Sequence, residues 1–360
     1  MAVNIYTCIQ CARCASGCPV ILGNLNIRRL IYLHQLGLKS LSEKDNKAIW
    51  ECTTCSTCSL RCPKNCQPMD LVLDLRKEAV EKGRIEESVI KALESTYLFG
   101  NPWQKPREKR IDWNKELNVK VVEPGEEVEN LIFICCTIHY DVRFLNLLRN
   151  FFNILKKLNI DFGVIGEDEN CCGSEIKRLG EEGLFLELKA KNEGVINKIK
   201  KQRIITLSPH CYNTLKKDYE LDTTVYHYTQ FLKEIKEELA KLLKRNKKKI
   251  IYHDPCYLGK QNKIFDEPRE ILNIFTDNLI EFDQNRENSL CCEGGGGRLW
   301  IEIERRERLA AERIKEAILK EAEIIAVSCP FCLLTIEDAT KVLGVDEKIK
   351  VLDILELLSF

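Results

Sequence analysis

Cys8-Ile9-Gln10-Cys11-Ala12-Arg13-Cys14-Ala15-Ser16-Gly17-Cys18-Pro19 returns 44 residues later as Cys52-Thr53-Thr54-Cys55-Ser56-Thr57-Cys58-Ser59-Leu60-Arg61-Cys62-Pro63. One spacing, C-x2-C-x2-C-x3-C-P, is written twice. Three thiols set two residues apart can wrap one face of a metal–sulfur cube on a tight loop, and the fourth leaves on the following segment. Working outward, the chain has 19 cysteines in 360 residues. Nine lie between Cys8 and Cys66, none between Cys66 and Cys135, and ten from Cys135 to Cys332. That distribution predicts a small N-terminal module and a larger C-terminal one.

The remaining composition narrows the class. At this length roughly 75% of the unfolded surface can be buried, so the chain needs no disulfide staples to fold. Fifty-five basic and 55 acidic side chains cancel, which argues against a nucleic-acid binder, since those carry a basic excess. No basic segment followed by an apolar run opens the sequence, and stretches such as Leu131-Ile132-Phe133-Ile134 are far shorter than a membrane span. The expected compartment is the cytoplasm, peripheral to a membrane only through a partner. Thiols stay reduced there, so clustered cysteines point to metal or redox chemistry. Two Met against many Lys, Glu and Ile lean toward a thermophile's composition.

The doubled run is the ligand pattern of two-cluster [4Fe–4S] ferredoxins, in which the fourth cysteine serves the other cluster. By that rule Cys8, Cys11, Cys14 and Cys62 hold one cluster, and Cys52, Cys55, Cys58 and Cys18 hold the second. The rival assignment is a pair of zinc sites, but zinc sites pair C-x2-C knuckles rather than repeat a triple. Cys66 is left over as a spare thiol. Helical periodicity in Ile27–Leu33 and again through Met69, Leu71, Val72, Leu75, Ala79 and Val80 predicts helices between and after the runs. The region resembles the α-helical ferredoxin domain of fumarate reductase iron–sulfur subunits and of heterodisulfide reductase.

The later cysteines repeat. A shift of 120 residues carries Cys136, Cys171 and Cys172 onto Cys256, Cys291 and Cys292, and one of 121 carries Cys211 onto Cys332. Apolar flanks agree: Leu131–Ile134 matches Ile250–Tyr252, and Ile204–Leu207 matches Ile324–Val327. Each unit reads as strand, helix, strand, helix, then a strand ending at cysteines. Cysteines just past strand ends fit the rule that open parallel sheets bind ligands there. The expected architecture is an α+β multidomain chain. An N-terminal α-helical ferredoxin domain (1–100) and a linker (101–128) precede two repeated α/β domains (129–249 and 250–360).

The units are unequal. The second has Cys329-Pro330-Phe331-Cys332 where the first has Ser208-Pro209-His210-Cys211, and Cys135 beside Cys136 partly compensates. The pattern resembles the CCG domain of the heterodisulfide reductase catalytic subunit, and the iron–sulfur subunits of glycolate oxidase and anaerobic glycerol-3-phosphate dehydrogenase. Asn101-Pro102, Arg110-Ile111-Asp112-Trp113 and His253-Asp254-Pro255-Cys256 look like the fused D-type form. The resemblance implies that Cys256, Cys291, Cys292, Cys329 and Cys332 hold a noncubane [4Fe–4S] assembly at which a small disulfide is reduced. It leaves Cys136, Cys171, Cys172 and Cys211 with zinc, a simpler cluster or nothing. Glu293 departs from the family's usual Gly after the Cys pair, although Gly294-Gly295-Gly296-Gly297 follow.

Gly294, Gly295 and Gly296 are read as a close backbone approach to cluster or substrate, against the alternative of a plain turn. His253 is the candidate proton donor for disulfide reduction, and His210 a lesser one with zinc ligation as its rival role. No G-x-G-x-x-G fingerprint precedes a helix. A flavoprotein or membrane cytochrome subunit is therefore the expected electron partner, in a complex. The rival reading is a non-catalytic electron-transfer subunit of an FAD-linked 2-hydroxyacid or glycerol-3-phosphate dehydrogenase.

Overall fold

The computed structural model describes residues 4–20, 24–38, 43–302 and 308–358. Before residue 100 the described elements are all helical, with Ile27–Gln35, Pro68–Glu81 and Glu87–Phe99 the longest. Pro68 sits in the first turn of its helix, where the missing N–H is harmless. Leu71, Val72, Leu75 and Ala79 form its buried stripe and pack with Leu30, Ile31, Ile49 and Val89. Arg76 lies on the same buried side, wholly inaccessible to solvent.

Two four-stranded parallel sheets follow. The first is built from β1 (Glu127–Phe133), β2 (Phe162–Val164), β3 (Lys200–Thr206) and β4 (Thr224–His227), in the order β2-β1-β3-β4. The second has β5 (Ile250–Tyr252), β6 (Leu279–Glu281), β7 (Ile324–Val327) and β8 (Lys350–Asp353), in the order β6-β5-β7-β8. Identical order makes the sequence repeat a structural one. The central strands are covered on both faces by helices, so Leu131, Ile132, Phe133, Ile204, Ile205, Ile250, Ile251 and Ile325 are buried in unbroken runs. In each sheet the strand order reverses between the first and third strands, β1/β3 and β5/β7, and the crevice beyond their carboxyl ends is the natural binding place.

Two features differ from expectation. Each unit continues past its last cysteines into a helix and a fourth strand, β4 or β8. These strands are four residues long and half-buried in alternation, too short and too polar to announce themselves. Residues 101–128 are also no loose tether. Val122 N–H donates to Val164 O at 2.8 Å and Val164 N–H to Lys120 O at 2.9 Å, adding a backbone segment beside β2. Trp113 is buried and stacks on Phe152 with ring centroids 5.5 Å apart. Proline and charge mark the solvent side of this segment and hide its apolar anchors.

Candidate metal centres

The eight cysteines of the doubled run fall into two spatial groups. A cavity is lined by Cys8, Cys11, Cys14 and Cys62, and the Cys14 thiol is raised by burial and then by neighbouring Cys8 and Cys62. Cys18 is raised by burial and then by Cys52 and Cys55, and Cys58 by burial and then by Cys52, Cys55 and Cys18. Cys62 thus lies with Cys8, Cys11 and Cys14, and Cys18 with Cys52, Cys55 and Cys58. Both loops wrap the same way: Gln10 and Ala12, and equally Thr54 and Ser56, hold positive φ between 50° and 64°. Non-glycine residues adopt that conformation at roughly 1–3 kcal/mol each. The wrap aims backbone N–H groups inward, from Gln10 to Cys8 Sγ and from Thr54 to Cys52 Sγ, both at 3.4 Å. Cys66 is buried, and its N–H donates to Cys62 Sγ at 3.3 Å.

The second repeat gathers all five of its cysteines, every one buried. Cys256 follows β5, Cys291 and Cys292 follow β6, and Cys329 and Cys332 follow β7. Cys292 and Cys332 Sγ are 3.2 Å apart, and Cys256 is in hydrogen-bond contact with Cys291. Burial raises the Cys329 thiol, but bonds from Cys332 and His210 outweigh it and bring it to about 6. Glu293 and Gly294 N–H groups donate to Cys291 and Cys292 Sγ at 3.3 and 3.5 Å. Packed thiols, some favoured as thiolates, with N–H groups aimed at sulfur, are the donor set an iron–sulfur cluster requires.

The glycine run does two jobs. Gly294 offers its N–H to Cys292 Sγ. Gly295 and Gly296 instead let other segments in: a Cβ on Gly295 would meet His210 and Tyr257 at 3.2 Å, and one on Gly296 would meet Cys52 O at 2.7 Å. Gly296→Ala is expected to cost about 3 kcal/mol from strain plus clash. Gly37→Ala has similar φ but open space around it, so it should cost only about 1 kcal/mol. Anaerobic thermal unfolding of the two variants measures the difference, and equal losses would mean the approach to Cys52 contributes nothing. Glu293 replaces glycine at φ +66° and uses its carboxylate to hold Arg308 Nε at 2.9 Å and Leu309 N at 3.2 Å, anchoring the next helix.

His253 lies beside the second thiol set. Its ring lies with Cys292 and Cys332 within 4.8 Å, and Nδ1 has no hydrogen-bond partner among the described residues. Burial first, then Arg313, pulls its pKa down to about 3. Asp254 does more than cap a turn: both carboxylate oxygens grip Arg269, at 2.7 and 2.9 Å, fixing the loop ahead of Cys256.

The first repeat also forms a five-thiol cluster, because Cys135 joins Cys136, Cys171, Cys172 and Cys211. All five are buried. Cys136 and Cys171 Sγ are 3.7 Å apart, while Cys211 contacts Cys135 and Cys172. Hydrogen bonds from Cys171 and Cys211 lower Cys172 to about 6. The Ser208 hydroxyl instead caps its helix, accepting from His210 N at 3.3 Å. Behind the set, Glu169 binds Arg110 at 2.7 Å and His139 at 3.0 Å. The His210 ring packs against Tyr257 and Phe331 of the second repeat.

Sequence reasoning missed how the parts meet. Cys55 lies beside Cys291, bringing the second thiol group of the helical domain next to the second repeat. Thr54 Oγ1 and Tyr257 OH are 2.6 Å apart, Gln261 Nε2 donates to Thr54 O at 3.0 Å, and buried Lys260 donates to Thr57 Oγ1 at 2.8 Å and to Ser289 O. Most of these partners are more than 200 residues apart, so no local pattern could reveal them.

Comparisons with known proteins match this geometry. A cysteine-rich domain, CCG, matches residues 131–216 and 250–337, and a 4Fe-4S dicluster domain matches residues 4–66. The chain is 34% identical over 331 residues to "Probable iron-sulfur-binding oxidoreductase FadF" of Bacillus subtilis, and 32% over 330 residues to EtfAB:quinone oxidoreductase of Syntrophomonas wolfei. Those alignments cover 86% and 87% of this chain but 46% of each relative, so the chain spans about half their length. It is 30% identical over 322 residues to the D-type polypeptide of the dihydromethanophenazine:CoB–CoM heterodisulfide reductase of Methanosarcina mazei, covering 86% of this chain and 76% of that polypeptide. Paired dicluster loops, two CCG units with clustered thiols, and these relatives agree: the chain belongs to the CCG-domain iron–sulfur protein family that includes the D-type heterodisulfide reductase polypeptides and FadF-like oxidoreductases.

Proposed function

We propose that this iron–sulfur protein is an electron-transfer subunit whose inner end, the second CCG thiol set, reduces a small disulfide. The observation that carries the reading is the contact of Cys55 with Cys291. It leaves no gap between the thiols of the helical domain and those of the second repeat. When bound, two [4Fe–4S] clusters in the dicluster domain and a noncubane [4Fe–4S] cluster in the second repeat would supply one-electron steps and a site for disulfide cleavage.

The chain's own residues support this use. Cys11 is exposed at the outer end, while all ten thiols of the two repeats are buried, so electrons enter from a partner and the inner site excludes water. The Lys260 ammonium and Arg76 guanidinium lie beside the junction and lower the cost of negative charge on Cys55 and Cys52, respectively. No described helix is long and apolar enough to cross a membrane. A flavoprotein or membrane cytochrome subunit is the proposed partner, with the chain on the cytoplasmic side.

The test is anaerobic purification, a metal and sulfide count, and turnover of the coenzyme M–coenzyme B disulfide with a reduced viologen. About 12 Fe per chain is expected for three four-iron assemblies, with measurable turnover. Identity to FadF and EtfAB:quinone oxidoreductase favours a second reading, a non-catalytic relay for a flavoprotein dehydrogenase. No turnover with a flavoprotein co-purifying would decide for it.

A further inference from the structure

Of the 19 cysteines, Cys11 alone is exposed, and the surface around it has a character of its own. The cavity lined by Cys8, Cys11, Cys14 and Cys62 is also lined by Ile9, Arg28 and Lys64. Arg28 and Lys64 are exposed, and so is Arg13 on the turn between Cys11 and Cys14. None of these three cations has a carboxylate partner among the described residues. The described carboxylates closest in sequence are engaged elsewhere. Glu51 is buried and accepts from Asn24 N at 2.9 Å, and Asp70 lines a different cleft with Lys177 and Arg178. Residues 1–66 hold eight Lys or Arg against three Asp or Glu, a surplus of five; the whole chain balances at 55 of each, so the rest carries the opposite surplus. Apolar side chains stand among the cations: Tyr6 is 76% exposed, Ile9 59% and Tyr32 50%. Tyr32 lies one turn after Arg28 on the Ile27–Gln35 helix, so the two share a face. Gln35, at the end of that helix, donates to Ile5 O at 2.8 Å and Cys8 O at 3.1 Å, which sets this face beside the loop carrying Tyr6 and Ile9.

We propose that this face docks a soluble one-electron carrier protein whose own redox centre opens onto an acidic surface. This rests on the reading of the chain as an electron-transfer subunit entered at the dicluster domain, and goes beyond it in naming the partner's charge. Aromatic residues and arginine are enriched in protein interfaces. Three cations without carboxylate partners raise the local concentration of an acidic partner and speed its approach. A second copy of this chain would bring like charges together across a two-fold axis. Anionic lipid would match the charge, but it would cover the one exposed thiol and shut electrons out. A protein carrier meets both demands: it neutralises Arg13, Arg28 and Lys64 and brings its centre up to Cys11. The step is one electron out of the reduced carrier, which is oxidised, and into the dicluster domain, which is reduced. No bond is made or broken and no proton moves.

The experiment uses the full chain, purified anaerobically, with iron and sulfide counted. The probe is a reduced plant-type [2Fe–2S] ferredoxin, a small, acidic and strongly reducing protein, mixed with the chain by stopped flow over a salt series. The second-order rate is expected to fall at least about tenfold between ~20 and ~300 mM salt. The iron-replete double variant Arg28→Glu, Lys64→Glu is expected to lose at least about tenfold in rate at low salt, together with most of the salt dependence. Reduced methyl viologen, a cation, should react with that variant no more slowly than with wild type. A variant whose dicluster potential had merely shifted would slow with both donors. Arg13→Glu, on the exposed turn, should act in the same direction and carries the test if the double variant does not take up iron. A wild-type ferredoxin rate that is flat in salt or rises with it overturns the proposal, and so does a charge-reversed chain that keeps its rate. Salt-sensitive binding to phosphatidylcholine–phosphatidylserine vesicles that is lost in the double variant, with the ferredoxin rate unaffected, gives the face to a membrane and also overturns it. Salt-sensitive transfer from ferredoxin in a chain that leaves the coenzyme M–coenzyme B disulfide untouched upholds this proposal and counts against disulfide reduction, so the two readings fail separately.

Discussion

Arg76→Met is expected to lower the apparent thermal midpoint of the anaerobic protein by about 10 °C. The buried guanidinium is bonded by no carboxylate among the described residues; it makes five hydrogen bonds to four carbonyls, those of Ile49, Cys52, Arg178 and Gly296. Those carbonyls belong to the helical domain, the first repeat and the second repeat, so one side chain ties three units. Each charge-assisted bond contributes roughly 1.5–3 kcal/mol, and each carbonyl left buried without a donor costs about 1–3 kcal/mol. Methionine fills the volume and leaves the carbonyls to relax, so a net loss of roughly 4 kcal/mol is expected, at about 2–4 °C per kcal/mol for a chain of this class. Arg76→Lys keeps the charge but cannot span four acceptors and should recover less than half. Trp50, 5.1 Å beneath the guanidinium, is a built-in fluorescence reporter of the same junction. A midpoint within about 2 °C of wild type would sink the tie.

Cys292→Ser is the second large effect. Its sulfur sits 3.2 Å from Cys332, contacts Cys291, receives the Gly294 N–H and shares the His253 group. A serine hydroxyl stays protonated where a thiol ionises, so the position loses its ligand character. Changes behind a metal ligand cost roughly 10–100-fold, and loss of the ligand should reach or exceed the top of that range. Disulfide turnover should fall at least about 100-fold, with about four irons missing and dye oxidation through the dicluster domain retained. Cys172→Ser, the matched change in the first repeat, should leave turnover within a few-fold of wild type. Retained activity in Cys292→Ser, or its loss in Cys172→Ser, would reverse the assignment of roles to the two repeats.

The cysteine arithmetic made much of this legible. A ligand run is a local spacing, and a duplicated unit is a fixed offset, so the two dicluster groups and the two thiol sets could be drawn before any fold was known. Cys135 was visible beside Cys136, but nothing local says that Ser208 turns away to cap a helix while Cys135 turns in. Strands β4 and β8 carry no cysteine and only two inward residues each, so periodicity had little to work on. His253 was singled out from its place beside Cys256; its grouping with Cys292 and Cys332 comes from the fold. Arg76, Lys260 and Tyr257 act across separations of about 100 to more than 200 residues. Packing creates those contacts, and no window of sequence contains them.

The loop Cys52–Thr54 lies beneath Gly295, Gly296 and Tyr257, with Arg76 closing over the Cys52 carbonyl. The consequence is mechanical: this loop cannot shift without displacing the backbone of the second repeat, so the helical domain and that repeat move as one body.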